Sequence, residues 1–425
     1  MEQEKKLEQK REKIFAMMEE EDVEFVRLQF TDMFGAMKNI AVTVGQLEKA
    51  LDGQCRIDGA AVRGFDLEDT EELYLYPDID TFCILPWRPQ QGKVARLLCD
   101  VYRADGSQVE ESSRYILRRV IKAAEEKGYR FFAEPECEFF LFHTDDNGVP
   151  TTLTHEKAGY LDLSPLDFAE NARRDMVLTL EDMGYEIASS CHEKAPGQHQ
   201  IDFCPEEGMK LADALITFKT AVRTVAKRHG LHATFMPKPK NDIQGSGMHM
   251  KMYLEKDGFD VFGDDKGMSE EALWFIGGLK RHAEAMAAIT NPLVNSYKRL
   301  VPGFGAPIGP GKGREALIQI PQPGRRGRKI EFRLPDASAN PYLTLALCLA
   351  AALDGIDKKL DAKKEPVNLP ENLAQAVRAM ENDSFIRDVL GDAFTERYVK
   401  EKKQEWNRYA NQVTQWEIEE YLYRI

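Results

Sequence analysis

The chain has 425 residues, more than a single hydrophobic core usually covers, so two domains are expected. Hydrophobic residues make up 43% and charged residues 30% of the sequence, a balance that excludes a disordered chain, a collagen-like repeat and a disulfide-stapled miniprotein. The formal net charge of −14 argues against duplex nucleic acid as the main partner, because an acidic surface repels phosphate backbones.

Three features of the sequence predict a cytoplasmic protein without membrane association. The longest apolar stretch, residues 345–353, is far shorter than the roughly 20 residues that a membrane helix needs. The N-terminal segment MEQEKKLEQKREK carries charges of both signs and lacks the apolar core of a signal peptide. The seven cysteines contain no CxxC pair, and scattered thiols of this kind are typical of a reducing compartment.

The first hundred residues predict an opening helix followed by strands. Residues 1–20 alternate charged and apolar side chains, which is typical of an exposed amphipathic helix. Residues 23–30 and 40–44 are rich in strand-forming side chains and flank a turn at Gly35, so they predict a hairpin. Another strand is predicted for residues 93–102.

The rest of the chain alternates helical segments with short strands. A turn at Asp105-Gly106 precedes a helical segment that ends at Gly128, so we place the domain boundary near residue 105, with domains 1–105 and 106–425. Further helices are predicted at 168–184, 209–229, 269–290, 340–360 and beyond 370, and strands at 138–142, 199–203 and 249–254. Segregated helices and antiparallel-looking strands favour an α+β fold over a doubly wound parallel sheet.

Two acidic residues stand out in the segment EPECEFFLF. Glu136 and Glu138 are two positions apart at a predicted strand start, and the period of two in a strand places both carboxylates on one face. Two like charges there are costly unless cations neutralise them or one carboxylate takes up a proton. A pair of solvated acids is the alternative interpretation, but the apolar run FFLF that follows favours burial.

Other segments supply residues that could join these acids at a metal. HEKAPGQHQIDF contains His192, Glu193 and His199, although histidines are most often ordinary packing residues. GSGMHM places His249 after two glycines, which allow the backbone to approach a ligand closely, and KIEFR carries Glu331. Carboxylates with one imidazole suit Mg²⁺ or Mn²⁺, whereas a zinc site would more often include thiolate.

A basic segment is out of character in this acidic chain. Between residues 312 and 333 there are two acids and seven cations, which are Lys312, Arg314, Arg325, Arg326, Arg328, Lys329 and Arg333. Glycines and prolines punctuate the segment and predict a loop. It is either a solvated loop or a clamp for phosphate, and no Walker motif is present in the chain.

In combination, these segments resemble type I glutamine synthetase from about residue 23 to the C-terminus. The matching segments, in the family's order, are IDGAAVRGF, EPECEFFLF, DFAENARRDMVL, HEKAPGQHQIDF, GLHATFMPKP, GSGMH, NPLVNSYKRLVPGF and IEFRLPDASANPYL. The resemblance implies a small N-terminal β-grasp-like domain and a large catalytic domain with a curved antiparallel sheet and flanking helices. It also implies a homo-oligomer, a dodecamer of two stacked hexameric rings, in which a neighbouring subunit supplies Asp58.

The resemblance further implies a ligase that makes γ-glutamyl phosphate from ATP and glutamate, which ammonia then converts to glutamine. Two Mg²⁺ or Mn²⁺ ions would assist. The implied metal ligands are Glu138, Glu193 and Gln200 for one ion and Glu136, His249 and Glu331 for the other. The implied glutamate-binding residues are Glu138, Gly245, Arg299 and Arg333. The implied ATP-binding residues are His192, Ser246 and Lys329, and the implied catalytic residues are Asp58, Arg314 and Arg333.

Several positions depart from the family's pattern. Gln200 stands where the family has a third glutamate ligand, and a neutral amide should lower metal affinity. Gly305 stands where a flap glutamate covers the amine pocket and helps to deprotonate ammonium. Near the nucleotide, the unusual residues are Ala188, Lys251, Tyr253, Gln319 and Lys329.

Three functions remain open on these grounds. The first is glutamine synthetase with compensating changes. The second is a γ-glutamyl ligase for a larger amine such as a polyamine, ethanolamine or an alkylamine, because Gly305 would make room; retention of Asp58 favours a small cationic nucleophile instead. The third is a catalytically weak oligomeric scaffold or regulator, although most metal and glutamate positions persist.

Overall fold

The structure is a computed structural model that describes residues 2–65, 72–88, 91–264, 267–300, 309–310, 316–321 and 327–425. These residues form a five-stranded sheet, a larger curled sheet and the helices that flank it, which confirms the predicted α+β class. Within the described ranges, none of the helices combines the length and the apolar character needed to cross a bilayer.

The N-terminal sheet is a β-grasp arrangement. Its elements are α1 (Glu2–Glu20), β1 (Val23–Thr31), β2 (Met37–Thr43), α2 (Val44–Leu51), β3 (Cys55–Asp58), β4 (Glu72–Ile84) and β5 (Lys93–Arg103). The strand order is β2-β1-β5-β4-β3, with β1 antiparallel to β2, as the predicted hairpin requires, and parallel to β5. Helix α1 is less exposed than predicted, because Ile14 and Met18 are buried in the core of this sheet.

The larger sheet belongs to the catalytic part of the chain. Its strands are β6 (Tyr129–His143), β7 (Ile187–His192), β8 (Gln198–Phe203), β9 (Glu206–Glu207), β10 (Leu231–Thr234), β11 (Met248–Lys256), β12 (Phe259–Asp260), β15 (Gly309–Pro310), β16 (Ile318–Ile320) and β17 (Ile330–Phe332). The main path is β15-β16-β17-β11-β6-β8-β7, and β9 and β10 also pair with β6. A separate two-stranded ribbon is formed by β13 (Gly263–Asp264) and β14 (Gly267–Met268).

Helices cover the apolar face of this sheet and continue into the C-terminal region. They are α3 (Ser113–Glu126), α4 (Glu170–Asp182), α5 (Gly208–Arg228), α6 (Glu270–Thr290), α7 (Ser296–Arg299), α8 (Pro341–Lys358), α9 (Leu373–Asn382), α10 (Ser384–Leu390), α11 (Asp392–Ala410) and α12 (Gln415–Tyr421). The helices predicted from the sequence are therefore confirmed. The apolar faces of α3 to α11 and the sheet share one large hydrophobic core, whereas α12 has no buried residue.

Strand β6 organises the larger sheet. Its odd-numbered residues face the core and include Phe131, Ala133, Cys137 and Phe139, whereas its even-numbered residues on the other face include Glu134, Glu136 and Glu138. The strand begins nine residues earlier than the predicted start at residue 138. The sequence did not predict this earlier start because Glu134 and Pro135 lie in the strand, and acids and proline are depleted in strands.

Two glycines allow α6 and α8 to pack backbone against backbone. A methyl group on Gly278 would lie 1.9 Å from the carbonyl oxygen of Ala351, and one on Gly355 would lie 2.1 Å from that of Trp274. No larger residue fits at either position without separating the helices.

Arg114 on α3 ties the N-terminal sheet to the catalytic helices. Its guanidinium donates to Asp78 at 2.7 Å and Asp100 at 2.9 Å, on β4 and β5, and to both oxygens of Asp213 on α5 at 2.9 and 3.0 Å. Tyr342 adds a hydrogen bond to Asp213 at 2.6 Å. The Arg114 side chain is only 5% exposed, so this network is shielded from solvent.

We expect Arg114→Met to destabilise the protein by about 3 to 5 kcal/mol, because it leaves three carboxylates without their common partner. The measurement is the free energy of unfolding from urea titration. Arg118→Met is the matched control: Arg118 also bonds Asp100, at 2.6 Å, but its side chain is 38% exposed, so its loss should cost about 1 kcal/mol or less. Equal losses in the two variants would contradict a special role for Arg114.

Candidate active site

The strand register brings the predicted metal ligands to one face of the larger sheet. Glu136 on β6 pairs with His249 on β11, and Glu138 pairs with Gln200 on β8. Glu331 on β17 pairs with Lys251, which lies two residues after His249 on β11. Four strands that are distant in sequence therefore contribute to one acidic surface.

The first group in this surface consists of Glu136, His249 and Glu331. Nδ1 of His249 lies 3.4 Å from a carboxylate oxygen of each acid, and one ligand atom from each residue fits within 4.8 Å. Burial lowers the pKa of His249 to about 4, so its imidazole is neutral at pH 7 and can offer a lone pair. Two carboxylates and a neutral imidazole are a donor set that fits Mg²⁺ or Mn²⁺.

The second group consists of Glu138 and Glu193. Burial, and then the charge of Glu193, raises the pKa of Glu138 to about 7, and burial also raises the pKa of Glu193. Glu138 accepts hydrogen bonds from the backbone N–H of Gly247 at 2.8 Å and from the Gln198 amide at 3.1 Å. These donors are neutral, and the charges of Arg299 near Glu138 and Lys194 near Glu193 only partly offset the effect of burial, so a divalent cation would fit here as well.

Gln200 lies at the second group but is partly committed elsewhere. Its amide nitrogen donates to Asp202 at 2.8 Å, and Ser189 donates to the other oxygen of Asp202. The side-chain carbonyl of Gln200 remains as the only atom that could serve a cation. Asp202 pairs with Glu136 across the strands, and sequence reasoning missed it although it follows Gln200 at the period of a strand.

Two lysines cover one end of the acidic surface. Nζ of Lys251 contacts Glu136 and lies 3.8 Å from Glu134, and Nζ of Lys329 contacts Glu134. Burial opposes the charged form of Lys251, but Glu136, Glu134 and Glu331 outweigh it and raise its pKa. Glu134 was not predicted as a site residue; its spacing of two from Glu136 was the available signal.

Glycines hold Arg299 close to these groups. Arg299 donates to the backbone carbonyls of Leu334 at 3.0 Å and Arg333 at 3.1 Å. A methyl group on Gly247 would lie 2.5 Å from its guanidinium, and one on Gly245 would lie 3.0 Å from its side-chain stem. Nε of Arg333 lies 3.3 Å from Glu331, so both predicted arginines border the acidic surface.

The predicted nucleotide residues have different surroundings. Both ring nitrogens of the buried His192 are engaged, by Glu156 at 2.8 Å and by the carbonyl oxygen of Glu193 at 2.6 Å. The hydroxyl of Ser246 is buried without a partner among the described residues. Tyr253 stacks on Phe132, with ring centroids 5.1 Å apart and an interplanar angle of 6°.

Not every predicted residue joins the cluster. Asp58, at the end of β3, uses its carboxylate to accept from its own loop at Ala60, and none of its hydrogen bonds to described residues reaches the larger sheet. Ala188 is exposed on β7, and Gln319 pairs with Glu331 on the neighbouring strand. Gly305 and Arg314 lie outside the described residues.

Comparison with known proteins identifies the class to which this site belongs. Residues 22–104 match the family described as "Glutamine synthetase, beta-Grasp domain", and residues 110–421 match "Glutamine synthetase, catalytic domain". The chain is 49% identical to a glutamine synthetase of Clostridium saccharobutylicum, over 97% of this chain and 98% of the relative. It is 44% identical to one from Staphylococcus aureus strain Mu50, over the same shares of the two chains.

Solved structures agree with the sequence comparison. GmaS without ligand has a TM-score of 0.87 at 31% identity, and GmaS in complex with ADP has a TM-score of 0.86 at the same identity. In both cases the match covers 96% of this chain and 98% of the other. The chain belongs to the glutamine synthetase family. It is an ATP-dependent ligase of that family, a class that uses divalent metal ions.

The raised pKa of Glu138 predicts a pH-dependent stability in the metal-free protein. Its pKa of about 7 lies above the value of 4.5 for an unperturbed glutamate, so the protonated form stabilises the fold. That contribution, about 2 to 3 kcal/mol, is complete below pH 4.5 and is lost as the pH rises through 7. In the presence of a chelator, we expect the stability of the wild type, measured relative to that of Glu138→Gln, to fall by this amount between about pH 5 and about pH 8.

Urea unfolding at each pH, with chelator, measures the difference between the wild type and Glu138→Gln. Addition of Mg²⁺ or Mn²⁺ at the upper end of the range should restore the wild type, because the cation replaces the proton. Glu138→Gln lacks the titrating group, so the cation should raise its free energy of unfolding by less. Parallel pH profiles for the two proteins would show that Glu138 does not carry the predicted charge.

Proposed function

We propose that the protein makes glutamine from glutamate and ammonia, with ATP converting glutamate to γ-glutamyl phosphate. The observation that carries the proposal is the acidic surface itself, in which Glu136, His249 and Glu331 converge beside Glu138 and Glu193, whose pKa values are raised. The glutamine synthetases at 44 to 49% identity over nearly their whole length support the same reaction.

The two groups of ligands fit Mg²⁺ or Mn²⁺ at two positions. Glu138 and Glu193, with the carbonyl of Gln200, would hold one ion, and Glu136, His249 and Glu331 would hold the other. When bound, such ions neutralise phosphate oxygens and stabilise the charge that develops on the transferred phosphoryl group.

The chain's own cations and glycines would bind and orient the substrates. Arg299, which Gly245 and Gly247 allow to approach, supplies a fixed guanidinium for a carboxylate of glutamate. Arg333 borders Glu331 and would face the reacting carboxylate, and Arg314 would face the transferring phosphate. Asp58 would come from a neighbouring subunit to bind ammonium and accept its proton.

For ATP, we propose Ser246 and Lys329 as contacts. The buried hydroxyl of Ser246, which has no hydrogen-bond partner among the described residues, supports this role, as does the ammonium of Lys329 at the edge of the acidic surface. His192, which the sequence also assigned to ATP, has both nitrogens engaged, so we propose that it positions Glu193 through the backbone carbonyl.

A ligase for a larger amine is the second candidate. It is favoured by Gly305, which places no carboxylate where the family's flap closes the amine pocket. The loss of general-base assistance is typically worth about 10² to 10⁴ in rate, so such a chain should use ammonia less well than its relatives.

A panel of acceptors separates the candidates. With ATP and glutamate, phosphate release should depend on ammonia if the first proposal holds, and on a polyamine, ethanolamine or an alkylamine if the second does. Gly305→Glu should raise the ammonia-dependent rate and lower the rate with bulky amines, because it restores a base and fills space.

Glu331→Ala is the control for both reactions, since loss of a metal ligand should abolish any ATP-dependent turnover. Activity that survives Glu331→Ala would place the chemistry elsewhere. No turnover with any acceptor would leave a catalytically weak scaffold or regulator as the better account.

We further propose a homo-oligomer, a dodecamer of two hexameric rings, located in the cytoplasm. Large apolar side chains are exposed in two places that suit subunit contacts: Leu163 and Phe168 (69% and 67% exposed) and the C-terminal Tyr423 and Ile425 (93% and 100%). All seven cysteines are free thiols, which supports a reducing compartment. We retain residue 105 as the domain boundary, because β5 ends at Arg103 and the two family matches meet between 104 and 110.

Light scattering at micromolar concentration should detect this assembly rather than a monomer. Truncation of the chain after residue 414 removes the exposed C-terminal side chains and should shift the distribution toward smaller species. A wild-type monomer that still turned over would contradict the sharing of Asp58 between subunits.

A further inference from the structure

The turn that joins β7 to β8 carries a candidate metal ligand. Backbone hydrogen bonds close this turn, from the N–H of Glu193 to the carbonyl of Gln198 at 2.7 Å and from the N–H of Gln198 to the carbonyl of Ala195 at 2.9 Å. The side-chain amide of Gln198 also donates to Glu138 at 3.1 Å. The position of the turn therefore determines where Glu193 lies relative to Glu138.

A cluster of buried polar side chains lies behind this turn, on the opposite face of the sheet. Its members, none of them more than 7% exposed, are Glu156, Asp167, Arg173, His192 and His199. His199 packs against Phe139 on the core-facing side of β6, with ring centroids 5.9 Å apart, and His192 pairs with His199 across the strands. Both histidines therefore point away from the acidic surface.

Glu156 reaches the turn at two points. Its Oε1 lies 2.8 Å from Nε2 of His192, at the start of the turn, and also accepts the backbone N–H of Gly197, near its end. Its Oε2 accepts the backbone N–H of Phe168 at 3.2 Å, which ties the carboxylate to the segment before α4. One buried carboxylate thus holds both ends of the turn.

The partners of His192 define its charge. Its Nδ1 lies 2.6 Å from the carbonyl oxygen of Glu193, which can only accept a hydrogen bond. Its Nε2 faces Glu156, whose two oxygens both accept backbone N–H groups and therefore belong to a carboxylate. Both ring nitrogens of His192 must then donate, so it is an imidazolium paired with Glu156.

The rest of the cluster is a second ion pair and not a further cation site. Arg173 donates to Asp167 at 2.6 Å and to Nδ1 of His199 at 2.8 Å. A guanidinium therefore already lies among the groups that could otherwise hold a metal, and the two pairs balance each other's charges. The cluster is a closed network whose contact with the turn runs through Glu156 and His192.

We propose that Glu156 is a positioning residue for the group of Glu138 and Glu193. From the core-facing side of the sheet, it holds Glu193 in place through His192 and the backbone of Gly197, and it touches neither the cation nor a substrate. The proposal rests on the proposed function for the identity of the metal group. Residues that orient a ligand in this way typically contribute about 10- to 100-fold to metal affinity.

The test is a Mn²⁺ titration of the full-length, nucleotide-free protein, followed by the electron paramagnetic resonance signal of free Mn²⁺. Glu156→Gln should weaken Mn²⁺ binding by about tenfold or more, although every ligand remains. The reason is that an amide has one acceptor oxygen and no charge, so it cannot serve His192, Gly197 and Phe168 together.

Asp167→Asn is the matched control. Asp167 is buried in the same cluster, but within the described part of the chain its carboxylate bonds Arg173 at 2.6 Å and the N–H of Ala169 at 3.1 Å, not the turn. The urea midpoint should fall in both variants, because each disturbs a buried ion pair. The Mn²⁺ affinity of Asp167→Asn should stay within about threefold of wild type.

A double-mutant cycle shows whether Glu156 acts through Glu193. Glu193→Gln removes the ligand that Glu156 is proposed to position. Adding Glu156→Gln to that variant should therefore change Mn²⁺ affinity by less than about threefold. A full loss in this background would mean that Glu156 acts by another route and would overturn the proposal.

Unchanged Mn²⁺ affinity in Glu156→Gln, or an equal loss in Asp167→Asn, would overturn it as well. If Glu156→Gln fails to fold, hydrogen exchange of the wild type decides. Mg²⁺ should slow exchange in residues 153–158, which contain Glu156 but no member of either ligand group, because coupling between two sites is reciprocal. Exchange in this segment that does not respond to Mg²⁺ would contradict the proposal.

The acceptor panel is independent of these measurements. Absence of turnover with every acceptor would overturn the proposed function, whereas the Mn²⁺ titrations judge only the role of Glu156.

Discussion

Repulsion among carboxylates is the constraint on which the catalytic sheet depends. The period of two along β6 places Glu134, Glu136 and Glu138 on one face, and the neighbouring strands add Asp202 and Glu331. Such a face is stable only where cations, hydrogen bonds or protons offset the charge. The structure uses all three, and it distributes them unevenly along the strand.

At one end of the face, lysines and an arginine lie against the acids. Burial alone would raise the pKa of Glu136, but the interactions with His249 and Lys251 outweigh it and lower that pKa to about 2. At the other end, the hydrogen-bond donors that the described residues offer to Glu138 are neutral, and Arg299 acts on it without an ion pair in the described part of the chain. Gln200 fits this pattern, since an amide beside Asp202 donates a hydrogen bond where a third carboxylate would add repulsion. Three departures from the family's residues, Gln200, Lys251 and Lys329, therefore belong to one electrostatic system.

The sequence predicted those features that depend on local periodicity. The helices of the catalytic part and the shared face of Glu136 and Glu138 follow from spacings of 3.6 and 2 residues. It did not predict β3 and β4, or the first half of β6, because their strand pattern is interrupted by charged residues and prolines. Strand register cannot be read from one strand alone, so the meeting of His249 with Glu136 came from family resemblance, and Lys251 gained a defined partner only in three dimensions.

The contact of α6 with α8 has a consequence for substrate placement. Beyond α6, Asn291 donates to the carbonyl of Leu334 at 2.9 Å, and Arg299 donates to the same carbonyl at 3.0 Å. Because Gly278 and Gly355 bring the two helices together through backbone atoms, the spacing between them does not vary with side-chain size. The segment that carries the proposed glutamate-binding arginine therefore leaves a pair of helices whose separation is set by backbone contact at Gly278 and Gly355.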